Sequence, residues 1–437
     1  MGFIRSRSAG APLRRGVSVS APSFAGSSAV SGAVSGAVSG AVSGRRTSVH
    51  QAVALSRPEE PMHCIRPGVL SDTAASFVAA FDAAVSGDVL YAVKCNPEPA
   101  VLRALWAGGV RHFDVASPGE IRLIRQMFPD AVLHYMHPVK GREAIRTAYQ
   151  QYGVRDFVLD SMEELRKILE ETGDAQDLGL VVRLALPKGN AVYDLSGKFG
   201  APAAEAVELL RAVRMVAPKV GVSFHVGSQM LDPAAYERAL DLAGRIIAES
   251  GVVIDVLDVG GGFPVSYPGV TPPPLGDFME AIARGVAKLD LPAHCRVWCE
   301  PGRALVAPGV SLVVQVVKRR GSELFINDGV YGALSDAGVP GFRFPARMIR
   351  PFAPMADASL EAFSFYGPTC DSADKMNGPF HLPADIQAGD WIELGQLGAY
   401  GSCLRTAFNG FDHARVVEVS DPPLLETPGY ELKSCVA

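Results

Sequence analysis

The stretch "VLYAVKCNPEP" places Lys94 directly after five uncharged residues, Val89 to Val93. Asn96-Pro97 follows, the pattern of a helix cap and first helical position. An amine at the carboxyl end of a buried strand has two readings. It snorkels to solvent and pairs with a carboxylate, or it is desolvated until part of it is neutral and nucleophilic. Polar groups recur after other apolar runs: Asp114, His137, Asp160, Arg183, His225 with Ser228, Gly260-Gly261-Gly262, and Glu300 with Arg303. A triple glycine after a strand lets backbone N–H groups approach an anion closely. The Ser228 hydroxyl and the Arg303 guanidinium strengthen a phosphate reading.

An amine opposite a phosphate cradle suits a phosphate-bearing aldehyde that forms a Schiff base with lysine, which is pyridoxal phosphate. Glu300 beside the pyridine nitrogen would keep it protonated, and the ring could then stabilise a carbanion left by departing carbon dioxide. His225 could lie flat against that ring; as a core histidine it would instead bond to backbone. Asp160 reads as the cap of its own helix. "HYMH" (His134, His137) suggests a metal only superficially, because positions three apart on a strand face opposite ways.

These groups need a frame. Eight β-rich runs alternate with segments of helical spacing: "DVLYAVK", "VRHFDVAS", "AVLHYMH", "RDFVLD", "LGLVVRLAL", "VGVSFHVGS", "VVIDVLDVGGGF" and "CRVWCEPG". "SPGE" (Ser117 to Glu120) and "SMEE" (Ser161 to Glu164) fit the capping box. Eight βα units predict an α/β fold, a closed (β/α)8 barrel of the TIM type, with its chemistry at the strand carboxyl ends. A doubly wound sheet competes, but no GxGxxG follows the first strand. After about residue 305 the runs "VSLVVQVVKRR", "ELFINDGVYG", "DWIELGQLGAYG" and "ARVVEVS" predict a second, mostly β domain.

The expected organisation is therefore a leader over 1–58, a lead-in segment over 59–87 packing on the β domain, the barrel over 88–305 and the β domain over 306–437. The leader holds seven arginines and no acid, and "AVSG" repeats four times within it. That composition predicts disorder. It fits an organelle transit peptide and equally an upstream extension in a GC-rich bacterial gene; the reading adopted is a cytoplasmic, bacterial protein. A net charge of −5 over 437 residues gives no reason to expect nucleic acid or an acidic membrane as partner. No uninterrupted apolar run is long enough to span a bilayer. Seven cysteines without a CxxC pair suggest a reducing compartment and no zinc site.

Taken together, "YAVKCN", "FDVAS", "FHVGSQ", "DVGGGFP", "EPGR", "NDGVYG", "GPTCDSAD" and "GAYG…FNGF" resemble the pyridoxal-phosphate decarboxylases of the alanine-racemase fold, and among them the ornithine decarboxylases. The resemblance runs from about residue 88 to 412. It implies that Lys94 bonds the cofactor, His225 stacks on the ring and Glu300 meets the ring nitrogen. Asp114 and Arg183 join the cofactor site, and Ser228, Gly261, Gly262, Gly302, Arg303 and Tyr400 complete it around the phosphate. It further implies that Cys370 returns a proton after carbon dioxide leaves, and that Asp371 and Asp336 bind the distal amine of a small basic amino acid. Asp336 follows "NDGVYG" after a shorter spacer than the family's, and "DAGVPGFRFP" looks like a bacterial subgroup. The family pairs two chains head to tail, so Cys370 and Asp371 would reach the partner's lysine in a homodimer with shared sites.

The expected activity is decarboxylation of L-ornithine to putrescine. Lysine, arginine and diaminopimelate are alternative substrates on the same fold. A racemase would want a tyrosine acid–base and an arginine at the ring nitrogen. A non-catalytic regulator should have lost the lysine or the phosphate ligands.

Overall fold

The computed structural model describes residues 47–189, 191–192, 197–352 and 359–430. Helix α1 (Val49–Ser56) opens the described chain, followed by strand β1 (Met62–Ile65) and helix α2 (Pro67–Val85). Strands β2 (Asp88–Ala92), β3 (His112–Val115), β4 (Val132–Tyr135), β5 (Asp156–Leu159), β6 (Gly179–Arg183), β7 (Lys219–Ser223), β8 (Val256–Asp258) and β9 (Arg296–Cys299) close a parallel barrel. Between them run α3 (Pro99–Ala107), α4 (Pro118–Met127), α5 (Arg142–Gln150), α6 (Met162–Thr172), α7 (Ala203–Val216), α8 (Ala234–Ser250) and α9 (Leu275–Ala287). The eight strands are the eight runs expected from the sequence.

Barrel strands are buried on both faces, which is why they read as apolar runs rather than alternating ones. Leu90, Met136, Val158, Val181, Val256 and Trp298 pack together in one cluster. The opposite residues, such as Val89, Tyr91, Phe157 and Val182, join the large core under the helices. Helix α2 has the length and apolarity of a membrane span. Its stripe of Leu70, Ala74, Phe77 and Phe81, at helical spacing, is instead buried, and the helix packs against α3 and α9.

A short helix α10 (Arg303–Val306) leads out of the barrel into β10 (Val310–Arg320), β11 (Glu323–Ile326), β12 (Ala346–Ile349), β13 (Leu360–Tyr366), β14 (Lys375–Pro383), β15 (Trp391–Leu394) and β16 (Arg415–Glu418). These strands form a mixed sheet in the order β12-β15-β10-β11-β13-β14. Strand β1 is added to it by pairing antiparallel with β10 and parallel with β16.

Five sequence expectations need correction. Residues 47–58 were expected within a disordered leader, but Ser48 caps α1 through a reciprocal box with Gln51, and Val49, Ala52 and Val53 are buried against Met62, Val313 and Trp391. Three small apolar side chains suffice because the sheet supplies the rest of the surface. The leader's residues 1–46 lie outside the described residues. The 59–87 segment is divided: β1 joins the β domain, while α2 packs on the barrel. The helix after Lys94 starts at Pro99, not Pro97. Asn96 is drawn away, donating to Gly398 O at 2.8 Å and accepting from Glu98 N at 3.1 Å. Finally, Ser161 caps α6, and Asp160 instead accepts from Gly200 N at 2.9 Å. Both proposed boxes form only their serine half: the Glu120 carboxylate turns to Ala116 N, and that of Glu164 to Lys140 N.

Candidate active site

The strand carboxyl ends converge on one cavity. Lys94, on a 3-10 turn after β2, lines it with Glu300, His225 and Ser228; Gly262, Gly302, Arg303 and Tyr400 complete its polar wall. Asp114, at the end of β3, stands behind the amine, with Lys94 Nζ 2.5 Å from its Oδ2. Parallel pairing of β2 with β3 brings these two together, because Ala92 lies beside Asp114 in the ladder.

Burial works against charge on Lys94, but the adjacent Asp114 outweighs it, and its pKa is raised above the usual lysine value. Of the two readings of this amine, the contact with Asp114 favours the paired one. In the free chain Lys94 is an ammonium, and the neighbouring carboxylate decides its state rather than desolvation.

Glu300 behaves in the opposite sense. Burial pushes its carboxyl well above the usual range, helped by the nearby acids Asp258 and Asp114. His225 accepts a hydrogen bond from Gly227 N at its Nδ1 (3.0 Å), so the neutral ring bears its proton on Nε2. Burial, with Arg183 and Lys94 nearby, drives its pKa well below 6.5. A neutral ring at the cavity wall is suited to stacking on a flat ligand.

The glycines leave room for an anion. Gly262 has φ +107°, and a Cβ there would sit 2.4 Å from Gly227 O. A Cβ on Gly261 would lie 2.5 Å from Glu300 O and 3.1 Å from His225 Nε2. A side chain at either position would close the approach between the β7 and β8 loops.

Arg303 is 4% exposed and already held: Nη1 donates to Tyr267 OH at 2.8 Å and Nη2 to Asp336 Oδ2 at 3.1 Å. Asp336 is buried and does not line the cavity. Cys370 and Asp371 are also absent from its walls. Cys370 is exposed, its N–H bonded to Asn409 Oδ1 at 3.0 Å. Asp371 accepts from Ala373 N at 2.9 Å and from the Tyr331 hydroxyl, and these bonds hold its pKa below the usual carboxylate value. His137 points elsewhere, its Nδ1 accepting from Val139 N at 3.1 Å.

Tyr267 and Asp258 were missed in the sequence. Tyr267 lies in a "SYPG" turn with no chemical signature. Asp258 ends β8 immediately before the Val259 and glycine run and could have been flagged as one more polar strand end.

Two buried atoms test what the cavity accepts. Asp114 Oδ1 and Glu300 Oε1 have no hydrogen-bond partner among the described residues. An unmatched buried oxygen costs free energy, so each marks a place for an incoming donor. A ligand with a cationic or N–H edge, a reactive carbon near Lys94 and a phosphate near Gly262 and Arg303 fits this set.

Comparison with known proteins points the same way. Residues 70–307 match a family described as pyridoxal-dependent decarboxylase, pyridoxal binding domain. The chain is similar to a lysine/ornithine decarboxylase of Selenomonas ruminantium, 35% identical over 344 residues, covering 77% of this chain and 84% of that one. It is 32% identical over 347 residues to an ornithine decarboxylase of Schizosaccharomyces pombe, covering 75% and 76% respectively. Among solved structures, an arginine decarboxylase of Paramecium bursaria Chlorella virus bound to agmatine superposes with a TM-score of 0.74 at 28% identity, covering 85% of this chain and 99% of that chain.

Proposed function

Since this chain belongs to the pyridoxal-dependent decarboxylases of basic amino acids, we propose that it converts L-ornithine to putrescine and carbon dioxide. Bound pyridoxal phosphate supplies the electron sink for the carbanion that decarboxylation leaves. The observation carrying the reading is that one cavity holds Lys94 at one side and buried Glu300 at another, with Glu300 Oε1 lacking a hydrogen-bond partner among the described residues.

Each residue then has a task. Lys94 Nζ would hold the cofactor through its aldehyde carbon, and Asp114 Oδ2 is the nearest acceptor for the proton that the ammonium must give up first. Glu300 would face the ring nitrogen and hold the proton shared with it. His225 stacks against the ring as a neutral imidazole. Ser228, Gly261, Gly262, Gly302, Arg303 and Tyr400 receive the phosphate, and Arg183 screens the acids nearby. Borohydride reduction of the loaded protein should fix the label on the peptide holding Lys94; a label on Lys198 would overturn the assignment.

Cys370 and Asp371 enter from a second chain. The exposure of Cys370, and the absence of both residues from the walls of their own chain's cavity, support a site shared across a two-fold dimer. Cys370 of the partner subunit supplies the proton that replaces the carboxyl group, and Asp371 of the partner subunit, held ionised by Ala373 and Tyr331, meets the distal ammonium. Mixing inactive Lys94→Ala and Cys370→Ala chains should restore about a quarter of wild-type activity, because half of randomly paired dimers carry one intact site. No recovery after subunit exchange would place both groups in one chain.

An anionic Asp371 favours an ammonium over the second carboxylate of diaminopimelate. Lysine differs from ornithine by one methylene, worth about 1–3 kcal/mol in discrimination. The relative from Selenomonas ruminantium, named for both substrates, supports a dual preference as the second reading. Measuring kcat/KM for ornithine, lysine, arginine and diaminopimelate side by side decides it. A preference for arginine or diaminopimelate would sink the proposal.

A further inference from the structure

Resting on the cofactor reading above, we infer that Asp336 and Tyr267 are positioning residues for a phosphate dianion, acting through Arg303, and that Asp336 does not meet the substrate's amine. The family resemblance gave Asp336 to the distal ammonium. The geometry assigns it differently.

Arg303 lines the cavity with Ser228 and Gly262, at the start of α10. A guanidinium has five N–H donors. Two are committed to protein, Nη1 to Tyr267 OH and Nη2 to Asp336 Oδ2. Three remain, and Nε among them is buried without a partner among the described residues. A planar fork with unsatisfied donors, fixed from behind by an anion, is ready for a second anion in front.

The plane is fixed on its flanks as well. The guanidinium carbon lies 5.8 Å from the ring centroid of Tyr267, 5.0 Å from that of Phe342 and 5.1 Å from that of Tyr400. Tyr267 is 6% exposed, Asp336 6% and Phe342 9%, so water competes little for these contacts. Asp336 lies on a 3-10 turn, Ser335–Ala337, and reaches the guanidinium without bordering the cavity. An ammonium in the cavity would find Arg303 itself a nearer and repelling neighbour, whereas a phosphate dianion would find it attractive.

The test compares binding of pyridoxal phosphate and of pyridoxal, which lacks the phosphate, to full-length protein stripped of cofactor. Both are titrated by near-visible absorbance, and the ratio of their Kd values isolates the phosphate's contribution. Wild type should favour the phosphorylated form strongly. Asp336→Asn should shrink that ratio by about tenfold, and the milder Tyr267→Phe by about threefold, with pyridoxal Kd nearly unchanged. A purely structural lesion would weaken both ligands together and leave the ratio alone. An unchanged ratio in both variants, or an Asp336→Asn variant that raises only the KM for ornithine, overturns the inference. If wild type itself binds neither aldehyde, the cofactor reading fails first. Should Asp336→Asn not fold, Tyr267→Phe decides alone, since its ratio must fall.

Discussion

The two ends of the barrel use the same residue types to different ends. At the mouth, Lys94 pairs with Asp114, and a histidine, His225, borders the cavity. At the floor, where the strands begin, Lys219 pairs with Asp156, and buried His134 borders another cavity of about 370 Å³. At the floor each acid has an oppositely charged or protonatable neighbour: Arg296 is 2.7 Å from Asp88, His134 is 3.0 Å from Asp156, and Arg214 is 2.6 Å from Asp255. Despite burial, these neighbours hold Asp88, Asp156 and Asp255 below the usual carboxylate range. At the mouth Glu300 is crowded by Asp258 and Asp114, and its pKa moves up instead. Like charges gathered around an unmatched oxygen lower the stability of the empty fold and are satisfied by a ligand; complementary charges satisfy one another. Residue type therefore does not distinguish the two poles, whereas the partners gathered around each acid do.

The largest effects should come from exchanging one carboxyl at each pole for its amide. Glu300→Gln should slow kcat by about 10²-fold, roughly 3 kcal/mol of transition-state stabilisation, with cofactor still bound. The sign of its stability effect also follows. A carboxyl whose pKa is raised on folding contributes stability below its unfolded pKa, and that contribution is lost as pH rises through the folded value. The cofactor-free variant should therefore lose this decline, and its Tm at pH 8 should equal or exceed that of wild type. Asp156→Asn should do the reverse, lowering Tm through loss of a buried pair worth about 3 kcal/mol while leaving kcat within about twofold. A Glu300→Gln chain with full turnover, or an Asp156→Asn chain with none, would remove the distinction between the poles.

The difference between the poles explains what was legible in the sequence. The strands were legible because burial on both faces writes itself as uninterrupted apolar runs, and "DVLYAVK" or "VRHFDVAS" needs no partner to be recognised. Polar strand ends were legible for the same reason: Lys94, Asp114 and Glu300 interrupt apolar patterns. Their protonation states were not. Lys94 stays charged because Asp114, twenty positions away, is its neighbour in the barrel register. Alternation was not the reason that His134 and His137 part: β4 ends at Tyr135, so His134 meets His112 and Asp156 while His137 lies in the loop beyond the strand. It could not say that strand starts such as His112 and Asp156 would face each other across a cavity. Arg303 was read as a phosphate ligand from "EPGR", but its hold on Tyr267 needs the loop after β8 and its hold on Asp336 needs the β domain against the barrel, and no local pattern encodes either. Helix α1 was missed because three small apolar residues carry little periodic signal.

An intermediate effect should appear in acid, and it belongs to the floor. His112 Nδ1 lies 3.0 Å from His134 Nε2, with Asp88, Asp156 and Arg296 around the pair. Burial and the neighbouring His134 push the His112 pKa down to about 4. Between the ordinary value of 6.5 and about 4 the unfolded chain binds a proton that the folded chain refuses, so stability falls as pH drops through this window. The loss is about 1–3 kcal/mol for a partly buried ring. His112→Asn should narrow the difference between urea midpoints at pH 7 and pH 5. Part of the slope should remain, because burial and Arg405 hold His63 at about 4 as well. An unaltered slope would mean that the floor takes up its acid protons elsewhere.

The smallest effect contrasts the two lysines directly. Lys219 touches Asp156 and passes 5.3 Å from the Trp298 ring centroid, but 41% of its side chain remains exposed. Water and salt screen such a pair, and Asp156 keeps His134 when the lysine is removed. Lys219→Met retains most of the chain's packing over Trp298, so its cost should be about 0.5–1 kcal/mol, seen as a Tm shift of a few degrees at low ionic strength. That shift should shrink further in 0.5 M salt (roughly one Debye length of 4 Å). Turnover should be untouched. Lys94 also pairs with an aspartate and also keeps part of its side chain open, 46% of it, so exposure and pairing alone would rank the two alike. Lys94→Met should nonetheless abolish turnover, and it should cost the fold more than Lys219→Met, because buried Asp114 then keeps no partner among the described residues. If both substitutions alter stability alone, the mouth is only a second floor.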